Sequence, residues 1–132
     1  RELVREAMRQ YPSLAALDIP EVLGSPRAFG YRNQAKLVAR REGGALLLGV
    51  YRPGTHQVVD IRRCPVHHPL ITPVIEAVAR VVEHYNISTY DERTHAGTLR
   101  YVVVRVSTWA KTAQVILVTR EHLLPHARSV LL

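Results

Sequence analysis

The sequence predicts an α+β fold, a mostly antiparallel sheet of about five strands with helices packed on one face. Three observations carry that expectation. Tyr31 to Arg40 alternates with a period of two, Leu99 to Ser107 and Thr112 to Thr119 are long β-branched runs split by a short turn, and Pro69 to Tyr85 carries apolar residues at helical spacing. A helix with one apolar stripe buries it against one face of such a sheet.

Arg1 to Gln10 reads as a helix, with Leu3, Ala7 and Met8 on one face and Arg1, Arg5 and Arg9 on another, and Tyr11-Pro12 ends it. Ile19-Pro20 breaks the next segment, and Gly24-Ser25-Pro26 with Gly30 marks an extended connection. In the strand from Tyr31 to Arg40, residues Tyr31, Asn33, Ala35, Leu37 and Ala39 form a core face, while Arg32, Gln34, Lys36, Val38 and Arg40 form a basic face. Gly43-Gly44 predicts a hairpin into a largely buried strand, Ala45 to Tyr51, and Pro53-Gly54 turns the chain into a third strand, Gln57 to Ile61. The helix from Pro69 to Tyr85 aligns Ile71, Val74, Ile75, Val78, Val81 and Val82 on one stripe, with Pro73 tolerated in the first turn. Its many valines lower intrinsic helix propensity, so packing must hold it. Tyr90 to Gly97 is a polar loop. The two β-branched runs, joined through Thr108 to Lys111, are expected as an antiparallel hairpin at the centre of the sheet. A last helix is expected from Glu121 to Leu124 onward, with Pro125 early in it.

Composition bounds the function. The 132 residues suit one domain with its own core. A single cysteine excludes an internal disulfide and suits a reducing cytoplasm. No apolar run approaches the roughly 18 to 20 residues of a membrane span, and the N-terminus lacks a signal-peptide apolar core, so a soluble, cytoplasmic protein without a membrane partner is expected. Lys and Arg total 18 against 11 Asp and Glu, a net charge of +7 that attracts polyanions, nucleic acid first among them. The chain begins at Arg1 without an initiator methionine and stops at Ser129-Val130-Leu131-Leu132 inside an apolar helical pattern, so it reads as a piece of a longer polypeptide.

Three segments carry candidate binding chemistry. Tyr31-Arg32-Asn33-Gln34-Ala35-Lys36 puts two cations and an amide beside an aromatic, the combination that grips a phosphate backbone and stacks a base. Arg52-Pro53-Gly54-Thr55-His56 is a basic turn. Arg93-Thr94-His95-Ala96-Gly97-Thr98-Leu99-Arg100 gathers two arginines and a histidine around a glycine whose backbone can approach a phosphate. The plain alternatives are a solvated strand face and soluble loops. Cys64 follows Arg62 and Arg63 and precedes His67 and His68, surroundings that favour thiolate over thiol. A lone cysteine is more often a small buried hydrophobe than a functional group. Signals for an enzyme are thin: Asp91-Glu92 with His95 reads as solvated charge, Cys64 with His67 and His68 falls short of the four ligands of a closed zinc site, and no nucleotide-binding glycine loop is present.

The order of the segments is more specific than any one of them. Tyr31 to Lys36, then Gly49-Val50-Tyr51-Arg52-Pro53-Gly54-Thr55-His56-Gln57-Val58-Val59-Asp60-Ile61-Arg62-Arg63-Cys64-Pro65, then Tyr90-Asp91-Glu92-Arg93-Thr94-His95-Ala96-Gly97-Thr98-Leu99-Arg100 resembles the middle section of the RNA (uracil-5-)-methyltransferases. The likeness is nearer to the branch that modifies 23S ribosomal RNA and carries an iron-sulfur cluster, and it runs from about Tyr31 to Thr119. Gln34 departs from the more basic residue expected at its position.

The resemblance implies a division of labour. Members place an oligonucleotide-binding β-barrel first, a central domain next and an S-adenosylmethionine domain last, and residues 1–132 match the central domain alone. The catalytic cysteine and general base belong to the last domain, so no catalytic residue is expected here. By position Cys64 matches the fourth thiolate of a 4Fe-4S cluster whose other three lie upstream of Arg1. Four thiolates hold such a cluster. This chain alone is therefore expected to carry no cofactor, and Cys64 to be a free thiol. Tyr31, Arg32, Asn33, Lys36, Arg52, His56, Arg93, His95 and Arg100 would form the RNA-binding surface, with Tyr31 or Tyr90 stacking on an unpaired base. The implied partner is RNA, with 23S rRNA as the target, and no protein partner is implied.

Overall fold

A computed structural model describes residues 1–122 and 124–130. Three helices, α1 (Glu2–Arg9), α2 (Ile71–His84) and α3 (Ala127–Val130), and five strands, β1 (Gln34–Glu42), β2 (Ala45–Tyr51), β3 (Val58–Asp60), β4 (Leu99–Ser107) and β5 (Thr112–Thr119), follow one another as α1-β1-β2-β3-α2-β4-β5-α3. The strands form one antiparallel sheet in the order β3-β2-β1-β4-β5. This is the predicted α+β class.

Local chemistry sets each connection. Gly43 and Gly44 have φ of 56° and 84°, the two positive values that a tight hairpin of matching twist demands, and they join β1 to β2 with Glu42 opposite Ala45. Helix α2 ends in a Schellman motif: the Ile87 N–H donates to Val82 O at 2.9 Å, the Asn86 N–H donates to Glu83 O at 3.1 Å, and Asn86 takes φ of 48°.

The core lies between α2 and the sheet. Ala35, Leu37 and Ala39 of β1, Leu46 and Leu48 of β2, and Leu99, Val102, Val104 and Val106 of β4 meet Ile71, Ile75, Ala79 and Val82 of α2, with Ile87 just beyond it. Each fully buried aliphatic side chain contributes roughly 1.5–3 kcal/mol. That packing supplies what the valine-rich helix lacks in propensity, and Ala79 belongs to the stripe although its small side chain gave no periodic signal.

Four expectations change. Strand β1 starts at Gln34 rather than Tyr31. Tyr31, 53% exposed, and Asn33, also exposed, therefore lie outside the strand, and neither is a core residue. The β4-β5 hairpin is not central: β1 takes that place, β5 is an edge, and residues 112–116 are exposed. Its β-branched composition reports fit to a pleated surface, not burial. Glu121, His122 and Leu124 are not helical, because α3 forms only beyond Pro125; Leu123, Leu131 and Leu132 lie outside the described residues. Helix α1 is present but buries nothing. Leu3 is 86% exposed, and no residue before Ala35 is buried. No helix among the described residues is long and apolar enough to cross a membrane.

Candidate nucleic-acid interface

The face of the sheet opposite α2 carries Lys36 and, through its contact with Tyr101, Arg100. Period two along β1 turns Gln34, Lys36, Val38 and Arg40 to that side, and the register sets Val38 between Tyr101 of β4 and Gly49 of β2. Lys36 Nζ lies 4.6 Å from the Tyr101 ring centre. The Arg100 guanidinium lies 4.6 Å from the Tyr90 ring and 5.9 Å from Tyr101. The Tyr90 hydroxyl stands 2.9 Å from His95 Nδ1. Lys36, Tyr101, Arg100, Tyr90 and His95 thus form a ladder of cations and rings, each cation–ring contact worth about 0.5–1 kcal/mol at an exposed site. The heads of two flexible side chains are held in place before any ligand arrives.

The 90–97 loop joins this ladder to the β2-β3 turn. The loop closes on itself through Tyr90 N–H to Leu99 O and Asp91 N–H to Ala96 O, both 2.8 Å. Asp91 Oδ1 accepts from the backbone N–H of Arg93 at 2.7 Å and of Thr94 at 3.2 Å, and its Oδ2 lies 3.8 Å from Arg40 Nη2. Those two backbone donors, with the Arg40 charge, hold its carboxyl below the usual carboxylate range. Glu92 Oε2 meets His56 Nδ1 at 2.9 Å. The Tyr51 phenol lies against the same carboxylate, and burial, followed by that negative charge, raises its pKa. Arg52 and Arg93 stand exposed on the two segments so linked. Gly97 makes the closure possible: at φ of 96° a Cβ there would sit 2.1 Å from Thr89 O.

Tyr31, Arg32 and Asn33 form a separate group beside Cys64. Gly30 N–H donates to Pro65 O, Arg32 N–H to Val66 O and His68 N–H to Arg32 O, all within 3.0 Å, while Asn33 O accepts from Val106 N–H. Val106 is six residues along β4 from Arg100, a distance of about 20 Å. Lys36, opposite Val103, stands between the groups. The nine candidate positions therefore fall at two ends of one strand, with one cation bridging them.

Cys64 closes a turn after β3 and lines an open cavity of about 680 Å³ with Asp60, Ile61, Arg62, Arg63, Pro65 and Glu76. Its cationic surroundings are neutralised, since Arg62 pairs with Asp60 at 2.8 Å and Arg63 with Glu76 at 3.1 Å. His67 is buried, and desolvation, then the Arg32 charge, lowers its pKa. His68 Nδ1 accepts from Leu70 N–H at 3.2 Å. Among the described residues no three metal-ligating side chains converge. A four-thiolate cluster does not fit this chain by itself, because Cys64 offers one thiolate of four.

The contact set also contains residues to which sequence reasoning gave no binding role. Arg40, Tyr51, Glu92 and Tyr101 hold the ladder and the loop together, and Asp91-Glu92 is no freely solvated pair. Pairing of Glu92 with a histidine 36 residues away carries no local signal.

No protein-family model matches the chain. Over 121 residues it is 40% identical to an uncharacterized RNA methyltransferase of Geobacter sulfurreducens, covering 92% of this chain and 24% of that protein. A second uncharacterized RNA methyltransferase, from Halalkalibacterium halodurans, is 37% identical over 121 residues, 90% of this chain and 26% of its own length. Among solved structures, the Pyrococcus abyssi tRNA (uracil-54, C5)-methyltransferase in complex with S-adenosyl-L-homocysteine matches with a TM-score of 0.71 and 27% identity over 98% of this chain and 30% of that one. The chain is similar to one segment of RNA methyltransferases. It spans about a quarter of the length of these curated relatives.

Proposed function

We propose that this chain is the RNA-binding central domain of an S-adenosylmethionine-dependent RNA (uracil-5-)-methyltransferase that acts on 23S rRNA. The observation that carries the reading is the likeness, across 98% of the chain, to a segment of a uracil-C5 methyltransferase bound to S-adenosyl-L-homocysteine. The basic ladder of Lys36, Arg100, Tyr90 and His95, with Arg52, His56 and Arg93 on the adjoining segments, supports it by offering cations for phosphates and rings for unpaired bases. Tyr31, Arg32 and Asn33 extend the surface past Lys36. The chain contributes no catalytic group in this reading: it holds and orients RNA, and the methyl donor and nucleophile belong to other domains of the polypeptide. Cys64 supplies one of the four thiolates of a 4Fe-4S cluster completed from outside residues 1–132.

A second reading, a transfer RNA target, is favoured by the substrate named for the Pyrococcus abyssi structure. One experiment separates them. The natural polypeptide containing this chain is incubated with methyl-labelled S-adenosylmethionine and either 23S rRNA or tRNA transcripts, and the digested nucleosides are identified by mass spectrometry. Label in 5-methyluridine from 23S rRNA supports the first reading, label from tRNA selects the second, and label in neither rejects both.

A further inference from the structure

We propose that Glu92 is a selectivity residue, an internal counter-charge that keeps the basic face from gripping polyanions through phosphate contacts alone. This rests on the RNA-binding reading above and deepens it. The Glu92 carboxylate stands on the 90–97 loop against two side-chain groups that a phosphate would seek, the His56 ring and the Tyr51 phenol. Its Oε2 is 2.9 Å from His56 Nδ1, and the Tyr51 phenol lies against it. The neighbouring Asp91 covers Arg40 at 3.8 Å.

The two carboxylates are held differently. Asp91 is fixed by two backbone N–H groups, so it serves loop shape as well as charge. Glu92 receives no backbone hydrogen bond among the described residues, and its partners are side chains on a different segment of the chain. A carboxylate held at this place on a +7 chain offsets part of the basic field that any passing polyanion meets. Discrimination of this kind works by penalising the wrong partner: an RNA that gains only phosphate contacts must also displace Glu92 from His56, whereas one that stacks a base on the Tyr90–Arg100–Tyr101 ladder has further contacts to offset that displacement.

The test is binding of two fluorescein-labelled single strands, a twelve-nucleotide oligouridylate and an abasic twelve-mer that offers phosphates alone, by fluorescence anisotropy across a salt series. The intact chain should bind with salt-dependent affinity. Glu92→Gln should tighten binding of the abasic strand three- to tenfold and steepen its slope of log K against log salt, because one counter-charge fewer opposes the phosphates, and should tighten oligouridylate binding less. Adding His56→Ala to Glu92→Gln should return both quantities most of the way to the starting values. Glu2→Gln, which removes an equal charge from exposed helix α1, should leave the slope unchanged. Glu92→Gln that weakens binding, or that changes affinity no more than Glu2→Gln, overturns the proposal. Salt-independent binding by the unmodified chain would instead reject the RNA-binding reading, which keeps the two failures apart.

Discussion

At the scale of single residues, two positions make sharp demands. Gly97→Ala places a methyl group 2.1 Å from the Thr89 carbonyl at a backbone angle that L-residues rarely adopt, so urea denaturation should show a loss of at least about 1–3 kcal/mol. His67 couples the fold to pH. Its folded pKa lies below the ordinary histidine value, so on acidification the unfolded chain takes up its proton first. The stability contributed by the neutral buried ring is full above about pH 6.5 and is lost as pH falls through the lowered folded value. Urea midpoints at pH 5 and pH 8 should differ more for the unmodified chain than for His67→Gln; equal differences would discount the coupling. Residue types and clusters were legible in the sequence, including the basic segments around Tyr31, Arg52 and Arg93. Their partners were not. Tyr101 over Lys36 and Glu92 against His56 are contacts across strands and loops, set by register and closure and not by spacing along the chain.

Elements repeat the same lesson with different consequences. The two helices that the sequence presents as amphipathic have opposite fates: α2 buries Ile71, Ile75, Ala79 and Val82, while α1 buries nothing. Ile75→Ala should therefore cost about 2–5 kcal/mol, whereas Leu3→Ala should leave the denaturation midpoint unchanged, since Leu3 is 86% exposed. A large loss from Leu3→Ala would mean that α1 packs in solution. Periodicity revealed that these elements exist, and it placed Ala35, Leu37 and Ala39 on the inner face correctly. It could not order the strands. β5 is rich in valine, isoleucine and leucine yet is an edge, because β-branched residues favour the extended backbone whether or not a neighbour covers them. The start of β1 moved to Gln34 because Gly30 and Arg32 bond instead to the turn beyond Cys64.

For the whole molecule, the separation of the candidate cations along β4 predicts how binding responds to their loss. Arg32→Ala and Arg100→Ala, about 20 Å apart, should each weaken oligouridylate binding, reduce the log–log salt slope by about 0.7, and combine additively in free energy. Anisotropy titrations at three salt concentrations check all three outcomes, and an affinity indifferent to salt would rule out the surface. The edge strand has a consequence among molecules instead of within one. Thr112–Thr119 contains no charged residue, and among the described residues nothing pairs with its outer side. Its vacant amides and carbonyls form a nucleation line on which strands from other molecules are free to grow into cross-β stacks. Concentrated solutions should gain thioflavin-binding fibrils on standing, and Val115→Lys, at an exposed position on that line, should suppress them.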